Sequence, residues 1–114
     1  NPLNLEFFID EKQISQVLLN LCKNALQSVE NTEEGKVQLL ARQDASAKII
    51  EIRDNGPGIP EELMEEIFVP FFTTKTGGTG IGLSLSKRVM QLHGGSLKVH
   101  SIPNKETVFR LTFS

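Results

Sequence analysis

Length, composition and charge place this chain of 114 residues among ordinary globular domains. Hydrophobic residues make up 39% and charged residues 23%, unlike a disordered chain, and the length predicts a single domain spanning residues 1–114. The net charge of -2 excludes a basic field that could hold nucleic acid or an anionic membrane surface. No apolar run approaches the roughly 18 residues of a membrane span, and a single cysteine cannot form an internal disulfide. A reducing, cytoplasmic setting is therefore expected.

The first half of the chain predicts a strand, a helix and two further strands. Leu3–Ile9 is short and apolar, and Asp10 with Gln13 resembles a capping box that opens a helix. Two runs rich in β-branched and aliphatic residues, Lys36–Asp44 and Lys48–Asp54, predict a strand pair. Apolar residues at helical spacing predict one buried helix face, made of Ile14, Val17, Leu18, Leu21, Ala25 and Val29.

The second half predicts a short helix, a loop, a long helix and two strands. Pro60 and the glutamates after it are typical of a short helix, and residues 68–79 have no clear period, which makes them the candidate for a mobile lid. Ser96–Ile102 and Thr107–Phe113 predict the closing strands. This order favours an α/β fold with one mixed sheet and helices on a single face. The long helix is predicted from Ile81, Leu85, Val89 and Leu92 and ends at Gly94-Gly95.

Two asparagines four residues apart, Asn20 and Asn24, lie on one side of the first helix at the edge of its apolar face. Asn is a poor helix former, so two copies in the middle of a helix need an explanation. One explanation is a carboxamide oxygen that binds Mg²⁺, a cation that takes its other ligands from phosphates and water. The alternative is a pair of amides that cap a neighbouring loop.

Asp54 ends a predicted strand and begins the sequence Asp-Asn-Gly-Pro-Gly. This can be ordinary turn chemistry, because Asp-Asn-Gly commonly reverses a chain. It can also be a carboxylate that accepts a hydrogen bond from an exocyclic amine, while Gly56 and Gly58 let a flat ring approach the backbone.

A glycine-rich turn at residues 77–82 comes just before the second long helix, where free backbone N–H groups bind phosphate. It lacks the Gly-Lys-Ser/Thr of a P-loop and the spacing G-x-G-x-x-G after a strand, and the glycines could instead only permit a tight entry to the helix. Lys75, before this turn, and Lys23, beside Asn24, could each reach a phosphate, although a lone surface lysine is usually only solvated.

Taken in order, four segments resemble the boxes of the catalytic ATP-binding domain of sensor histidine kinases, in the superfamily of gyrase, MutL-type repair proteins and heat-shock chaperone ATPases. Residues 16–25 look like the N box, 54–59 like the first glycine box, 68–75 like the F box and 78–83 like the second glycine box. The resemblance covers nearly the whole chain. The brief lid, with two residues between Lys75 and the glycine turn, resembles the nitrogen-regulation type of sensor kinase.

The resemblance implies the Bergerat fold, a two-layer α/β sandwich with a mixed, mostly antiparallel sheet and three helices on one face. It implies ATP and Mg²⁺ as cofactors, Asp54 as the group that recognises the adenine amine, and Asn24 as the metal ligand. Thr107 would support adenine through water, although Glu106 stands where the family commonly has Gly. The resemblance gives catalytic roles to Asn20 and Lys75. The remaining nucleotide contacts are carried over from the boxes: Lys23, Gly56, Gly58, Ile59, Phe72, Thr74, Gly78, Thr79, Gly80, Ile81, Gly82 and Leu83.

The implied function is transfer of a phosphoryl group from Mg-ATP to a histidine on a separate dimerisation helix, with a response regulator downstream. The ATPases of the superfamily place a Glu general base where this chain has Asn20, and a carboxamide cannot take a proton from water. The alternatives are an ATPase-driven clamp, a related serine kinase and a non-catalytic nucleotide-sensing or interaction module. The chain lacks an initiator Met, so it is expected to be excised from a longer protein, the cytoplasmic part of a sensor, without direct membrane contact of its own.

Overall fold

The computed structural model of the protein describes residues 11–71 and 82–113. Helix α1 (Glu11–Ser28) precedes strands β1 (Val37–Asp44) and β2 (Ala47–Asp54). Helix α2 (Gly82–Leu92) precedes strands β3 (Ser96–Ile102) and β4 (Glu106–Phe113). The predicted first strand, the predicted helix cap Asp10 and most of the predicted lid lie outside the described residues.

The four strands form one sheet in the order β1-β2-β4-β3, and each neighbouring pair is antiparallel. The helices pack against one face of this sheet, so the predicted α/β architecture is confirmed. Because side chains alternate between faces along a strand, β2 and β4 present Ile52 and Phe109 as direct partners toward the helices. The core between the layers contains Val17, Leu21 and Ala25 of α1, Val89 and Met90 of α2, and Ile52, Leu97, Phe109 and Leu111 of the sheet.

The predicted short helix after Pro60 is present as two single 3₁₀ turns, Glu61–Leu63 and Glu66–Phe68. The second turn ends at Val69, which is extended with φ -76° and ψ 130°. Val69 precedes Pro70, and the proline ring disfavours a helical conformation in the residue before it. The acidic residues therefore lie on turns rather than on a continuous helix.

The buried face of α2 includes only some of the residues from which the helix was predicted. Leu85 and Leu92 are 59% and 64% exposed, whereas Ser86, Val89 and Met90 are buried. Half-buried Leu83 packs against the core together with Val89 and Met90. Neither helix in the described part of the chain has the length and hydropathy needed to cross a bilayer.

Candidate functional site

Asp54, the last residue of β2, is only 4% exposed, and its carboxylate joins three parts of the fold. Its Oδ1 accepts a hydrogen bond from the backbone N–H of Gly56 at 2.9 Å and another from the hydroxyl of Ser28 at 3.2 Å. Ser28 is the last residue of α1. Turn chemistry is therefore present, and it also fixes a buried carboxylate at the junction between the sheet and the first helix.

The two glycines of this turn are required by the protein's own packing. A Cβ on Gly56 would overlap the Ser28 hydroxyl and lie 2.7 Å from the Ser28 carbonyl oxygen. Gly58 has φ +79°, and a Cβ there would lie 2.8 Å from the carbonyl oxygen of Ile102. The turn thus fits closely between the end of α1 and the hairpin joining β3 to β4. Approach of a flat ligand ring to these glycines stays a prediction.

Ser101 on β3 connects the same turn to β4. Its hydroxyl accepts a hydrogen bond from the backbone N–H of Ile59 at 2.8 Å and donates one to the carbonyl oxygen of Glu106 at 3.0 Å. It also lies 3.3 Å from the hydroxyl of Thr107. Thr107 is the direct strand partner of both Ser101 and Asp54, and it is 3% exposed. The end of the candidate site that is predicted to hold a purine therefore has Asp54 and Thr107 side by side.

Asn20 connects α1 to the start of α2. Its side-chain Nδ2 donates a hydrogen bond to the hydroxyl of Ser86, which is buried, at 3.2 Å. A Cβ on Gly82, the first residue of α2, would lie 2.5 Å from Oδ1 of Asn20. The side-chain amide of Asn20 therefore lies directly against Gly82 at the start of α2. The amide of Asn20 thus contacts a neighbouring helix, whereas the structural alternative was an amide cap on a neighbouring loop.

The other predicted residues fall into three groups. Asn24 is half-buried on α1, one turn closer to Ser28, and Lys23 beside it is exposed. Ile59 and Leu83 are half-buried against the core. Seven predicted contacts lie outside the described residues, and their roles stay predictions: Phe72, Thr74, Lys75, Gly78, Thr79, Gly80 and Ile81.

Helix α1 thus links two ends of one site. Ser28 holds Asp54 at one end, and Asn20 contacts the N-terminus of α2 at the other. The rise of about 1.5 Å per residue separates these ends by about 12 Å. A helix N-terminus attracts phosphate groups, whereas a buried carboxylate and a hydroxyl suit a hydrogen-bonding base. The arrangement can accommodate an extended molecule with a base at one end and phosphates at the other.

Three serines that contribute to this geometry were missed by sequence reasoning: Ser28, Ser86 and Ser101. Ser101 could have been found from the short hairpin between β3 and β4, because the register of its strands sets Ser101 opposite Thr107. Ser28 and Ser86 depend on how the helices pack, which no local pattern reveals. Among the described residues, no group of three His, Cys, Asp or Glu side chains could hold a metal.

Comparison with known proteins agrees with this geometry. Residues 9–114 match the family described as histidine kinase-, DNA gyrase B-, and HSP90-like ATPase. The signal transduction histidine-protein kinase AtoS of Escherichia coli is 42% identical over 112 residues, which cover 97% of this chain and 17% of AtoS. The sensory histidine kinase/phosphatase NtrB of Vibrio alginolyticus is 38% identical over 117 residues, covering 94% of this chain and 33% of NtrB. The chain thus spans a third or less of the length of these relatives.

Comparison with solved structures also identifies histidine kinases. The catalytic domain of histidine kinase ThkA superposes with a TM-score of 0.79 at 38% identity, covering 91% of this chain and 67% of that one. The mycobacterial sensor histidine kinase MprB gives a TM-score of 0.81 at 27% identity, covering 92% of this chain and 74% of that one. The family match extends over nearly the whole chain, and ATP is the nucleotide of this family. The chain therefore belongs to the histidine kinase-, DNA gyrase B- and HSP90-like ATPase family, as a catalytic domain of the histidine kinase type.

Proposed function

We propose that this chain binds Mg-ATP and transfers the γ-phosphoryl group to a histidine on a separate helix of a longer sensor kinase. The single observation that carries the proposal is the two-ended site along α1. Asp54 and Thr107 are buried as direct strand partners at one end, and Asn20 contacts the start of α2 at the other. This matches the chemistry of ATP, which carries an amino group on its base and negative charge on its phosphates.

The purine end fits adenine. The exocyclic amine of adenine is a hydrogen-bond donor, and Asp54 offers a fixed carboxylate acceptor. Its Oδ1 accepts from Gly56 and Ser28, so the carboxylate cannot rotate without losing two hydrogen bonds. Such a fixed acceptor discriminates strongly between bases, because a base without the amine leaves a buried polar group unpaired.

The phosphate end fits Mg²⁺ bound through Asn24. This residue lies between Asn20 and Ser28 on α1, and an amide oxygen is a ligand that Mg²⁺ accepts while keeping several waters. When bound, the metal would neutralise phosphate charge during transfer. Lys23 and Lys75 would oppose the remaining negative charge.

Phosphoryl transfer here needs positioning more than proton removal by this chain. An imidazole nitrogen of the acceptor forms a bond to the γ-phosphorus while the bond to the bridging oxygen breaks and ADP leaves. Asn20 cannot remove a proton from water, and its hydrogen bond to Ser86 gives it a role in positioning α2. The acceptor histidine and a response regulator that later receives the phosphoryl group would be supplied by other parts of the signalling system.

Binding is tested by calorimetric titration of ATP into the chain, with and without Mg²⁺. We expect saturable binding that Mg²⁺ strengthens, and we expect Asn24→Ala to lose most of the Mg²⁺ effect while keeping the binding measured without metal. Lys12→Ala on the first turn of α1 serves as the matched control. Equal loss with and without Mg²⁺ in Asn24→Ala would show that Asn24 only supports the helix.

Transfer is tested in a chimera of AtoS in which this chain replaces the matching segment. We expect label from the γ-position of ATP to enter the chimera as acid-labile phosphate, and Asp54→Asn in the same chimera to abolish it. Rapid ATP hydrolysis without labelling would instead favour the ATPase clamp. Nucleotide binding with neither labelling nor hydrolysis would favour a sensing module.

A further inference from the structure

Thr107 has a buried hydroxyl with unused hydrogen-bonding capacity. Its side chain is 3% exposed, and within residues 11–71 and 82–113 its hydroxyl has one polar contact, to Ser101 at 3.3 Å. A hydroxyl can donate one hydrogen bond and accept two. Because the distance alone does not tell which of the two hydroxyls donates, the other contacts of Ser101 decide the direction.

The single proton of the Ser101 hydroxyl is already donated in another hydrogen bond. Ser101 donates to the carbonyl oxygen of Glu106 at 3.0 Å, and a carbonyl oxygen can only accept. Its oxygen also accepts from the backbone N–H of Ile59 at 2.8 Å, which can only donate. One lone pair remains for Thr107. The hydroxyl of Thr107 must therefore donate to Ser101, and both its own lone pairs remain available as acceptors.

We infer that Ser101 is a specificity-determining positioning residue, which fixes the Thr107 hydroxyl as a hydrogen-bond acceptor and so selects a 6-amino purine over a 6-oxo purine. This inference rests on the proposed function, because it concerns the base of the bound nucleotide. Asp54 and Thr107 then both present acceptors at the purine end, directly or through a bridging water. A 6-amino group donates to such a pair, whereas a 6-oxo oxygen finds no donor there.

The fixed direction depends on backbone groups rather than on solvent. Ile59 belongs to the turn after β2, and Glu106 begins β4, so the hydroxyl of Ser101 is held by two separate segments. A Cβ on Gly58 would lie 2.9 Å from the Ser101 oxygen, which indicates how closely the turn encloses it. The direction of the Thr107 hydroxyl is thus set by the fold before any nucleotide binds.

The test compares ATP with inosine triphosphate, whose base carries an oxo group at position 6 in place of the amine and a proton on the neighbouring N1. Dissociation constants of both are measured by calorimetric or competition titration for the wild type and for Ser101→Ala, Thr107→Val and the double variant. Ser96→Ala is the matched control, since Ser96 lies on the same strand but on the other face of the sheet. The readout is the ratio of the two dissociation constants, which a general loosening of the turn would leave unchanged.

We expect the preference for ATP to fall about two- to tenfold in Ser101→Ala, the value of one neutral hydrogen bond, because the freed hydroxyl of Thr107 can then donate to a 6-oxo oxygen. Thr107→Val should lower the preference similarly, the double variant should add no further loss, and Ser96→Ala should keep it. An unchanged ratio in Ser101→Ala, with both affinities lowered equally, overturns the inference. If Ser101→Ala does not fold, an unchanged ratio in Thr107→Val overturns it. Failure of the wild type to bind ATP would contradict the proposed function itself, which separates the two claims.

Discussion

Strand β2 carries two buried carboxylates with different surroundings. Glu51 and Asp54 are 1% and 4% exposed, and because they are three residues apart they point to opposite faces of the sheet. Asp54 faces the helices, where a backbone N–H and a hydroxyl donate to its Oδ1. Glu51 faces away from the helices, where three arginines surround it.

The cluster around Glu51 contains three of the four arginines of the chain. Arg53 donates two hydrogen bonds to Oε1, at 2.9 and 3.2 Å. Arg110, the direct strand partner on β4, contacts Oε2 through two nitrogens at 2.7 Å, and Arg42 lies 3.3 Å from the same oxygen. The arginine side chains are 38–49% exposed. They shield the carboxylate from water and compensate its charge.

The pKa of Glu51 reflects this compensation. Burial alone would raise it, but hydrogen bonds from Arg53 and Arg110 and their positive charges outweigh burial and lower the pKa from 4.5 to about 2. Burial of a carboxylate therefore does not by itself mark a ligand site. Glu51 is enclosed by charged groups of the open sheet face, whereas Asp54 lies beside a buried hydroxyl with unused acceptor capacity, at the junction of helix, turn and sheet.

The largest expected effect is the loss of nucleotide binding in Asp54→Asn. The amide keeps an oxygen that can accept from Gly56 and Ser28, so the fold should remain, but one acceptor for the adenine amine becomes a donor. We expect ATP affinity to fall on the order of a hundredfold or more. Titration calorimetry gives the affinity, and thermal unfolding checks the fold. Retained affinity in a folded variant would remove Asp54 from the purine site.

Glu51→Gln should lower the stability of the fold and leave ATP affinity nearly unchanged, the opposite of Asp54→Asn. The substitution keeps the size of the side chain but removes the charge that three arginines share, so we expect unfolding in urea to cost about 2–3 kcal/mol less at neutral pH. ATP affinity should stay within twofold of the wild type, because Glu51 faces away from the helices. A large loss of affinity with little loss of stability would mean that the two carboxylates are not separate in function.

The pH dependence of the stability difference between wild type and Glu51→Gln tests whether the charge of Glu51 is responsible. The folded-state pKa of Glu51 is about 2, below its ordinary value of 4.5, so its stabilisation is fully present above pH 4.5 and is lost as pH falls toward 2. The shift corresponds to about 3 kcal/mol at about 1.4 kcal/mol per pKa unit. We expect urea unfolding from pH 6 to pH 3 to show that the difference in the free energy of unfolding between wild type and Glu51→Gln becomes smaller below pH 4.5. A difference that does not change with pH would assign the effect to packing rather than charge.

The two carboxylates also differ in how far the sequence reveals them. Asp54 could be identified because its turn is a local motif, and the strand β3 was predicted with the bounds that the structure has. Glu51 could not, because its partner Arg110 is 59 residues away and becomes a neighbour only through the register of β2 and β4. The same limit applies to α2, because only helix packing shows that Leu85 and Leu92 are exposed.

The candidate site likewise contains residues that the local sequence reveals and residues that it does not. The turn after β2 and its two glycines were predictable from local sequence. The three serines were not, since each uses one hydroxyl to join elements that are distant along the chain. A hydroxyl is common on exposed surfaces, so only the folded register distinguishes Ser28 or Ser101 from an ordinary surface serine.

The smallest effect is expected for Ser28→Ala, which removes one of the two hydrogen bonds to Oδ1 of Asp54. The Gly56 N–H remains at 2.9 Å, so the carboxylate should stay in place but with more freedom. We expect ATP affinity to fall about two- to fivefold, the range of one neutral hydrogen bond, with little change in thermal stability. In the background of Asp54→Asn, the same change should cost nothing further, because the two residues act as a unit. Additive losses of affinity in that double variant would mean that Ser28 affects nucleotide binding by another route than Asp54. The contrast between a carboxylate held by neutral donors and one held by arginines would then explain differences in stability alone.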